Sequence, residues 1–248
     1  MIEIFISIIF VSLISMLSIF MTFFKRPVYE KIVNYLISFA VGTMLATSFF
    51  EIIPESIEEM GKKSINYILI GILLFLLVEK YIHWHHCNMD SCEKKHKKVK
   101  PYVFLNLIGD GLHNFIDGAI IAAAYMTDFR LGVITTFSVA VHELPQEIGD
   151  FSILLKGGMN FRQAIYFNFL IALTALMGGM LAIFLSSYIH DINPILLSVA
   201  AGGFIYLSLS DIVPETHKET RPKNIVNQTL ILLLGILIIY LLILFFPE

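Results

Sequence analysis

The sequence predicts an all-α polytopic membrane protein with eight transmembrane helices. The chain is 57% hydrophobic and 15% charged, and its mean hydropathy of +0.79 lies well above that of soluble domains. Apolar stretches of the roughly 20 residues needed to span a bilayer recur along its 248 residues. Lys and Arg are concentrated in alternate connections between these stretches. Together these observations indicate one membrane domain over residues 1–248.

Each expected span is an apolar stretch between polar connections. The eight spans cover residues 2–24, 33–57, 66–84, 102–126, 131–155, 161–188, 194–213 and 225–246. The first lacks a basic leading region and a small-residue cleavage site, so we expect it to be a span and not a removed signal peptide. The chain then divides into spans 1–3 (1–86), a loop (87–100), spans 4 and 5 (101–156) and spans 6–8 (157–248).

Spans 2 and 7 contain similar segments. Residues 40–56 and 200–216 match at six of seventeen positions, and Glu51 aligns with Asp211. Because the two spans run in opposite directions, the similarity predicts an inverted repeat of spans 1–3 and 6–8 around spans 4 and 5, a 3+2+3 arrangement typical of alternating-access carriers. The alternative is a chance recurrence of small residues before a helix-ending Pro-Glu pair.

The loop charges predict the orientation. The connections after spans 1, 3, 5 and 7 contain thirteen basic residues: Lys25, Arg26, Lys31, Lys94, Lys95, Lys97, Lys98, Lys100, Lys156, Arg162, Lys218, Arg221 and Lys223. The opposite side has only Lys62, Lys63 and Arg130. The positive-inside rule therefore places the loop after span 3 in the cytosol and both termini outside.

Spans 4 and 5 carry polar residues at helical spacing. The stripe on span 4 consists of Asn106, Asp110, His113, Asn114 and Asp117, and those on span 5 consist of Ser138, His142, Gln146 and Asp150, and of Glu143 and Glu147. Each acid at the centre of a spanning helix costs about 3 kcal/mol on insertion, so such residues indicate a function. Pro145 leaves the carbonyl of Val141 without its helical donor, and we expect a kink there. The alternative is a polar network that only joins two helices.

The residue types on these stripes are those that bind a borderline divalent cation such as Zn²⁺. Imidazole nitrogens, carboxylate oxygens and carboxamide oxygens are all present. The polar stripes lie at membrane depth, where the kink at Pro145 would expose backbone to a lined cavity. We therefore predict a metal transporter whose uptake depends on pH, because a metal must displace protons from protonated ligands.

Two motifs extend this interpretation. HNFIDG (113–118) and HELPQEIGD (142–150) resemble the ZIP (Zrt/Irt-like) divalent-metal transporters, in the subfamily with HNFxDG and HExPHExGD. The similarity continues through residues 75–80, 150–168 and 201–215. The resemblance implies eight spans with both ends outside, transport of Zn²⁺ and sometimes Fe²⁺, Mn²⁺ or Cd²⁺ into the cytosol, frequent dimerisation, and movement of spans 1, 4, 5 and 6 against the rest.

The resemblance also implies a set of site residues. A first metal site would use His113, Asp117, His142 and Gln146. An adjacent second site would use Asn114 and Glu143, share Asp117 and Gln146, and be completed by Asn168. We expect the metal to enter past Glu51 at the outer end of span 2 and to leave past Asp110, Glu147 and Asp150.

Two positions depart from the subfamily pattern. Gln146 stands where a second His is usual in span 5, and Glu51 stands where span 2 usually has a His. Because a carboxamide oxygen is a harder ligand than an imidazole nitrogen, we expect the site to tolerate Fe²⁺ or Mn²⁺ better than a His-rich one, with Zn²⁺ still the first choice.

The loop after span 3 is rich in metal-binding residue types. These are His83, His85, His86, Cys87, Cys92 and His96. They indicate a cytosolic metal-acceptor segment, although a solvated basic loop with incidental His is the alternative and the spacing is not that of a zinc finger.

The main rival function is that of an intramembrane zinc metalloprotease, because HELPQ begins like the HExxH signature. Gln146 replaces the second His of that signature, so we expect no enzyme. A metal-stabilised receptor or structural bundle is a third interpretation, although it would need no polar exit. The expected partners are divalent cations, the lipid bilayer and a second copy of the chain, with no nucleic acid. The expected location is a plasma or inner membrane.

Overall fold

The computed structural model describes residues 2–16, 26–89, 99, 101–189, 192–216 and 220–245. Nearly all of these residues are helical, and none of the described residues lies in a β-strand. The helices are α1 (Ile2–Ser15), α2 (Arg26–Thr47), α3 (Ile53–Met60), α4 (Lys63–Met89), α5 (Pro101–Thr127), α6 (Phe129–Lys156), α7 (Phe161–Ala172), α8 (Thr174–Ser186), α9 (Ile192–Leu207), α10 (Val213–Thr216) and α11 (Pro222–Phe245).

Several helices are long and apolar enough to cross a membrane. Within the described ranges, four stretches meet this condition, namely Ile32–Met60, Phe161–Ser186, Ile192–Ser210 and Pro222–Phe245. Two shorter apolar stretches cover Ile2–Ile14 and Lys63–Val78. The helices α5 and α6 are equally long, but their polar stripes make them less apolar. The protein is therefore an all-helical, multi-pass membrane protein.

The distribution of polar and apolar side chains differs from that of a soluble protein. Charged and amide side chains lie in the interior, among them Asp110, His113, Asn114, Asp117, His142, Glu143, Glu147 and Asn168. Large apolar side chains cover the outside, including those of Leu69, Leu77, Met177, Phe184, Leu230 and Leu237. A surface of this kind is typical of helices in a bilayer.

The helices α5 and α6 form the centre of the bundle. They pack against each other, and α5 also packs against α8 and α9 while α6 packs against α1 and α2. Two further pairs, α2 with α11 and α4 with α9, complete the arrangement. The polar stripes of α5 and α6 are therefore enclosed by apolar helices.

The pairs α2–α11 and α4–α9 cross in the same way. A methyl group added at Gly42 would overlap the carbonyl of Leu232, and one added at Gly202 would overlap the carbonyl of Ile68. In each pair a second glycine lies on the partner helix, Gly235 in α11 and Gly71 in α4, at the same place in the crossing. Such close approach of two helices requires small residues on both.

Each of α2 and α9 also ends in a π-helical turn. The turns are Ser48–Ile52 and Ser208–Ile212, and each is closed by a backbone hydrogen bond to its serine carbonyl. A proline follows at Pro54 and Pro214, and because proline has no N–H, the preceding turn cannot complete its ordinary α-helical bonds. The duplicated turn and the duplicated glycine crossing fall at aligned positions of the two similar segments.

Three features of the helices bear on the expected spans. The helix α4 continues to Met89, so the expected loop 87–100 begins within a helix. The expected span 161–188 is divided at Leu173 into α7 and α8, where the Thr174 hydroxyl donates to the carbonyls of Ile171 and Gly111. Pro145 lies inside α6, which remains a single helix.

Candidate metal centre

Two helices bring four potential ligand groups together in the interior. On α5, His113 and Asp117 are one turn apart, and on α6, His142 and Glu143 are adjacent. One ligand atom from each of the four residues lies within 4.8 Å of the others. We call these four residues the histidine group. All four are buried.

The distances within the histidine group match those around a tetrahedral metal ion. His113 Nε2 lies 3.2 Å from His142 Nε2, and it lies 3.3 Å from both Asp117 Oδ2 and Glu143 Oε1. His142 Nε2 lies 3.1 Å from Asp117 Oδ2 and 4.0 Å from Glu143 Oε1. Ligands held about 2.0–2.2 Å from a tetrahedral zinc ion lie roughly 3.3–3.6 Å from one another. The group therefore needs only small adjustments to surround an ion of this size.

His142 is oriented through the other nitrogen of its ring. Its Nδ1 lies 3.0 Å from the carbonyl oxygen of Ser138, one turn earlier in α6. A carbonyl only accepts, so Nδ1 carries the proton and donates it, which leaves a lone pair on Nε2. The Phe204 ring packs against the imidazole in a T-shaped arrangement, with centroids 5.7 Å apart. A histidine fixed in this way is prepared to ligate a metal through Nε2.

Three further acids lie beyond the histidine group, toward the Lys156 end of α6. In each case a neutral amide donates to one carboxylate oxygen. Asn114 donates to Asp110 Oδ1 at 2.9 Å, and Asn168 donates to Glu147 Oε2 at 2.5 Å. The third pair is Asn106 and Asp150, at 3.0 Å. An amide orients a carboxylate without neutralising its charge.

The opposite end of α6 carries a charged pair. Arg130 lies 2.9 Å from Glu51 Oε1, and the two side chains are only 16% and 4% exposed. Glu51 belongs to the π-helical turn after α2, so the ion pair joins α2 to α6. Between this pair and the histidine group, the hydroxyls of Thr47 and Ser138 also form a hydrogen bond. From the sequence alone Arg130 is only a loop charge, because its partner comes from a distant helix.

The expected ligand sets are regrouped in the structure. Glu143, assigned to the second site, lies with the histidines, whereas Asn114 and Asn168 contact acids further along the bundle. Gln146 lies on the next turn of α6 and is half-buried. In the expected metal-binding loop, His83, His85, His86 and Cys87 belong to the last turns of α4, and Cys92 and His96 lie outside the described residues.

Comparison with known proteins identifies relatives of this chain. The model of the ZIP zinc transporter family matches residues 1–101 and 85–243. The chain is 30% identical over 227 residues to zinc transporter ZIP13 of Pongo abelii, a match that covers 85% of this chain and 66% of that protein. It is 27% identical over 276 residues to the zinc transporter ZIP13 homolog of Drosophila melanogaster, with 86% and 78% covered.

A third relative is matched over a small part of its length. Zinc transporter ZIP10 of Danio rerio is 36% identical over 160 residues, which are 62% of this chain and 19% of that protein. The chain thus spans from about a fifth to just under two thirds of the length of two of these relatives. The family match nevertheless extends over almost the whole chain and encloses both helices that bear the histidine group, and the chain therefore belongs to the ZIP zinc transporter family.

Proposed function

We propose that this chain carries divalent metal ions, Zn²⁺ first among them, through a membrane and into the cytosol by alternating access around the histidine group. The observation that carries this proposal is the convergence of two imidazoles and two carboxylates inside a membrane bundle. Zinc as the cargo is supported by the donor types and by relatives that are named zinc transporters.

The charges of the histidine group suit a divalent cargo. Asp117 and Glu143 each supply one negative charge when ionised, and His113 and His142 are neutral when they ligate a metal. A bound divalent cation would therefore be compensated within the site. Compensation matters because an unpaired charge is costly at membrane depth.

The eight-span, 3+2+3 topology is the arrangement that we propose for this transport. It is supported by the repeated glycine crossing and the repeated π-helical turn, which fall at aligned positions of the two similar segments. With both termini outside, the Arg130 end of α6 would face the exterior and the Lys156 end the cytosol. The domain divisions predicted from the sequence follow from the same topology.

The contacts around the histidine group support a direction of passage. Toward the Arg130 end lie the Glu51–Arg130 ion pair and the Thr47–Ser138 hydrogen bond, which would block the route. Toward the Lys156 end, Asp150 is only half-buried and Gly149 is exposed. We therefore propose that this conformation is closed to the outside. Metal would leave past Asp110, Glu147 and Asp150, which we call the amide-held acids.

The donor set also bears on selectivity and on the rival functions. Two nitrogens and two oxygens suit Zn²⁺, and Gln146 at the next turn would allow Fe²⁺ or Mn²⁺ to compete. A metalloprotease needs a glutamate that activates water apart from the metal ligands. Glu143 lies 3.3 Å from His113 Nε2, within the ligand group, and this favours transport over proteolysis. A homodimer in a plasma or inner membrane is the assembly that we propose.

Uptake into proteoliposomes that contain a zinc-sensitive dye tests the proposal. The natural chain should move Zn²⁺, and the variants His142→Ala and Asp117→Asn should each lose at least nine tenths of the initial rate, because each removes a ligand. The matched control is Glu58→Gln, which changes an exposed acid in α3 and should leave the rate unaltered.

Folding must be checked for every variant by size-exclusion chromatography in detergent. If the natural chain moves none of Zn²⁺, Fe²⁺, Mn²⁺ or Cd²⁺, the transport function is wrong, and the histidine group must be reassigned to a structural or catalytic metal. Transport that persists in both folded ligand variants would place the cargo elsewhere.

A further inference from the structure

The imidazole of His142 is in contact with two other rings, which come from two different helices. The ring of His113 on α5 lies with its centroid 5.4 Å away, and that of Phe204 on α9 lies 5.7 Å away, both in T-shaped arrangements. His113 belongs to the histidine group, whereas Phe204 has no side-chain atom that could bind a metal. Phe204 is completely buried. A third helix therefore contributes an apolar wall to the candidate metal centre.

The direction of Phe204 follows from the small residues that precede it on α9. A methyl group added at Gly202 would overlap the carbonyl of Ile68, so Gly202 faces α4. A residue two positions further along a helix is rotated by about 200°, and Phe204 therefore faces away from α4. On its other sides α9 packs against α5 and α2, the helices next to the histidine group. The close crossing of α9 with α4 thus directs the Phe204 ring toward His142.

A single hydrogen bond does not fix the plane of an imidazole ring. The Nδ1 atom of His142 lies 3.0 Å from the carbonyl oxygen of Ser138, and this contact holds one point of the ring. The ring can still turn about its bond to Cβ, because the energy of this torsion varies only broadly with angle. The lone pair of Nε2 lies in the ring plane, so such a turn would direct it away from a bound ion. Since protein interiors are close-packed, the buried ring of Phe204 resists the turn.

We propose that Phe204 is a positioning residue for His142 and that it favours Zn²⁺ over Mn²⁺ at the histidine group. This inference rests on the proposed transport function. Imidazole contributes more to the binding of Zn²⁺ than to that of Mn²⁺, which prefers oxygen ligands. Loss of the ring orientation would therefore weaken Zn²⁺ more, while the carboxylates of Asp117 and Glu143 would still serve Mn²⁺. Removal of a group that orients a metal-binding histidine typically lowers metal affinity 10–100-fold.

The dissociation constants of the two ions test this inference on the purified full chain in detergent, by competition with a fluorescent chelator. Phe204→Leu removes the planar ring and keeps an apolar side chain. We expect it to raise the dissociation constant for Zn²⁺ at least tenfold and that for Mn²⁺ less than threefold, so that the preference for Zn²⁺ falls. Phe204→Met preserves more of the side-chain volume, and it replaces the leucine variant if that one does not fold.

The matched control is Phe151→Leu on α6. Phe151 is also buried, and its ring packs against that of Phe161 in a T-shaped arrangement with centroids 5.6 Å apart. It belongs to a different apolar cluster from that of Phe204. The same truncation is thus made at similar burial but without a histidine neighbour. We expect it to change neither dissociation constant by more than threefold.

Pulsed electron paramagnetic resonance of bound Mn²⁺ gives a second readout that a general loss of packing would not change. The ion should be coupled to two imidazole nitrogens in the natural chain and in Phe151→Leu, and to one in the Phe204 variants. The inference is overturned if a folded Phe204 variant keeps the natural ratio of the two dissociation constants, or if it keeps both couplings. Should the natural chain bind and move zinc while that ratio is kept, the transport function would stand without this inference.

Discussion

Outside the histidine group, four acids on the inside of the bundle are held by two kinds of partner. Asp110, Glu147 and Asp150 accept from neutral amides, whereas Glu51 faces the guanidinium of Arg130. An amide leaves the carboxylate charge available to a cation, and a guanidinium compensates it. The sequence predicts only that Glu51 lies on the entry route of the metal. The structure gives it a different neighbour, and this indicates that Glu51 holds α2 against α6 in this conformation.

The Glu51–Arg130 pair leads to the first prediction. Glu51→Gln should lower the free energy of unfolding by about 3 kcal/mol, because it leaves the mostly buried Arg130 charge without its compensating carboxylate. The double variant Glu51→Gln/Arg130→Met should be less destabilised than the single one, since a neutral pair has no charge to compensate. Thermal unfolding in detergent, followed by circular dichroism, measures both.

A double-mutant cycle with Arg130→Met alone completes this experiment. Additive losses in the two single variants would contradict the prediction, because they would mean that the two side chains do not interact. Coupling of at least 1 kcal/mol is expected for a mostly buried ion pair.

All four residues of the histidine group were predicted from the sequence as metal ligands, but Glu143 was assigned to the second site, and the reason is geometric. His113 and Asp117 share one face of α5 at a spacing of four, so their proximity follows from the helix alone. Whether Glu143 or Gln146 joins His142 depends on how α6 is rotated against α5, and adjacent residues on a helix differ by about 100° in direction. Tertiary packing decides that rotation, and no pattern within span 5 determines it.

At the scale of the helices, the crossing of α2 with α11 repeats that of α4 with α9. Gly42 and Gly202 are aligned in the two similar segments, and each faces a backbone carbonyl of its partner helix. A chance recurrence of small residues explains the sequence similarity but gives no reason for an equivalent contact on a second helix. The repeated contact therefore favours a structural repeat.

The second prediction uses these glycines. Gly42→Ala and Gly202→Ala should each lower the free energy of unfolding by about 1–3 kcal/mol, because the added methyl overlaps a main-chain carbonyl and forces the helices apart. The control is Gly149→Ala in α6, where an added methyl meets nothing within 4 Å. That change should stabilise the protein by up to about 1 kcal/mol, since alanine is the better helix former.

Thermal unfolding of the three variants tests this prediction through the sign of the change in the free energy of unfolding. If Gly42→Ala and Gly202→Ala were tolerated as well as Gly149→Ala, the close crossings would be wrong. A loss in only one of the first two would contradict their equivalence.

The helices themselves were largely predictable, and their interruptions were not. Apolar length and polar periodicity located helices within each of the expected spans, although most of the second half of the first span lies outside the described residues. The division at Leu173 involves neither proline nor glycine. It coincides with a hydrogen bond from Thr174 to the carbonyl of Gly111, on another helix. A contact between residues so far apart in the chain leaves no local signal.

At the scale of the whole molecule, the polar residues proposed to bind metal lower the hydropathy of the helices that carry them. Within the described ranges, four stretches are recognised as spans by composition, and α5 and α6 are not among them. These two helices carry the histidine group and the amide-held acids. Their polar residues can lie at membrane depth because α8, α9, α1 and α2 pack around them. The two helices that carry the proposed metal ligands are thus not among the stretches that hydropathy alone identifies as spans.

The third prediction concerns orientation in the membrane. Lys62, between α3 and α4, and Arg162, in the first turn of α7, are both exposed. Spans 3, 4 and 5 of the proposed topology separate them, and an odd number of spans places the two residues on opposite sides. In a chain with Cys87→Ser and Cys92→Ser, a cysteine introduced by Lys62→Cys should react with a membrane-impermeant maleimide applied to intact cells. One introduced by Arg162→Cys should react only after permeabilisation.

Each alternative labelling pattern has its own meaning. If both cysteines reacted in intact cells, an even number of spans would separate them, and one of α4, α5 or α6 would not cross the bilayer. If only Arg162→Cys reacted, the spans would be correct and the orientation reversed, so that the amide-held acids would face the exterior. This conformation would then be open to the exterior and closed to the cytosol, which would contradict the proposed route of release.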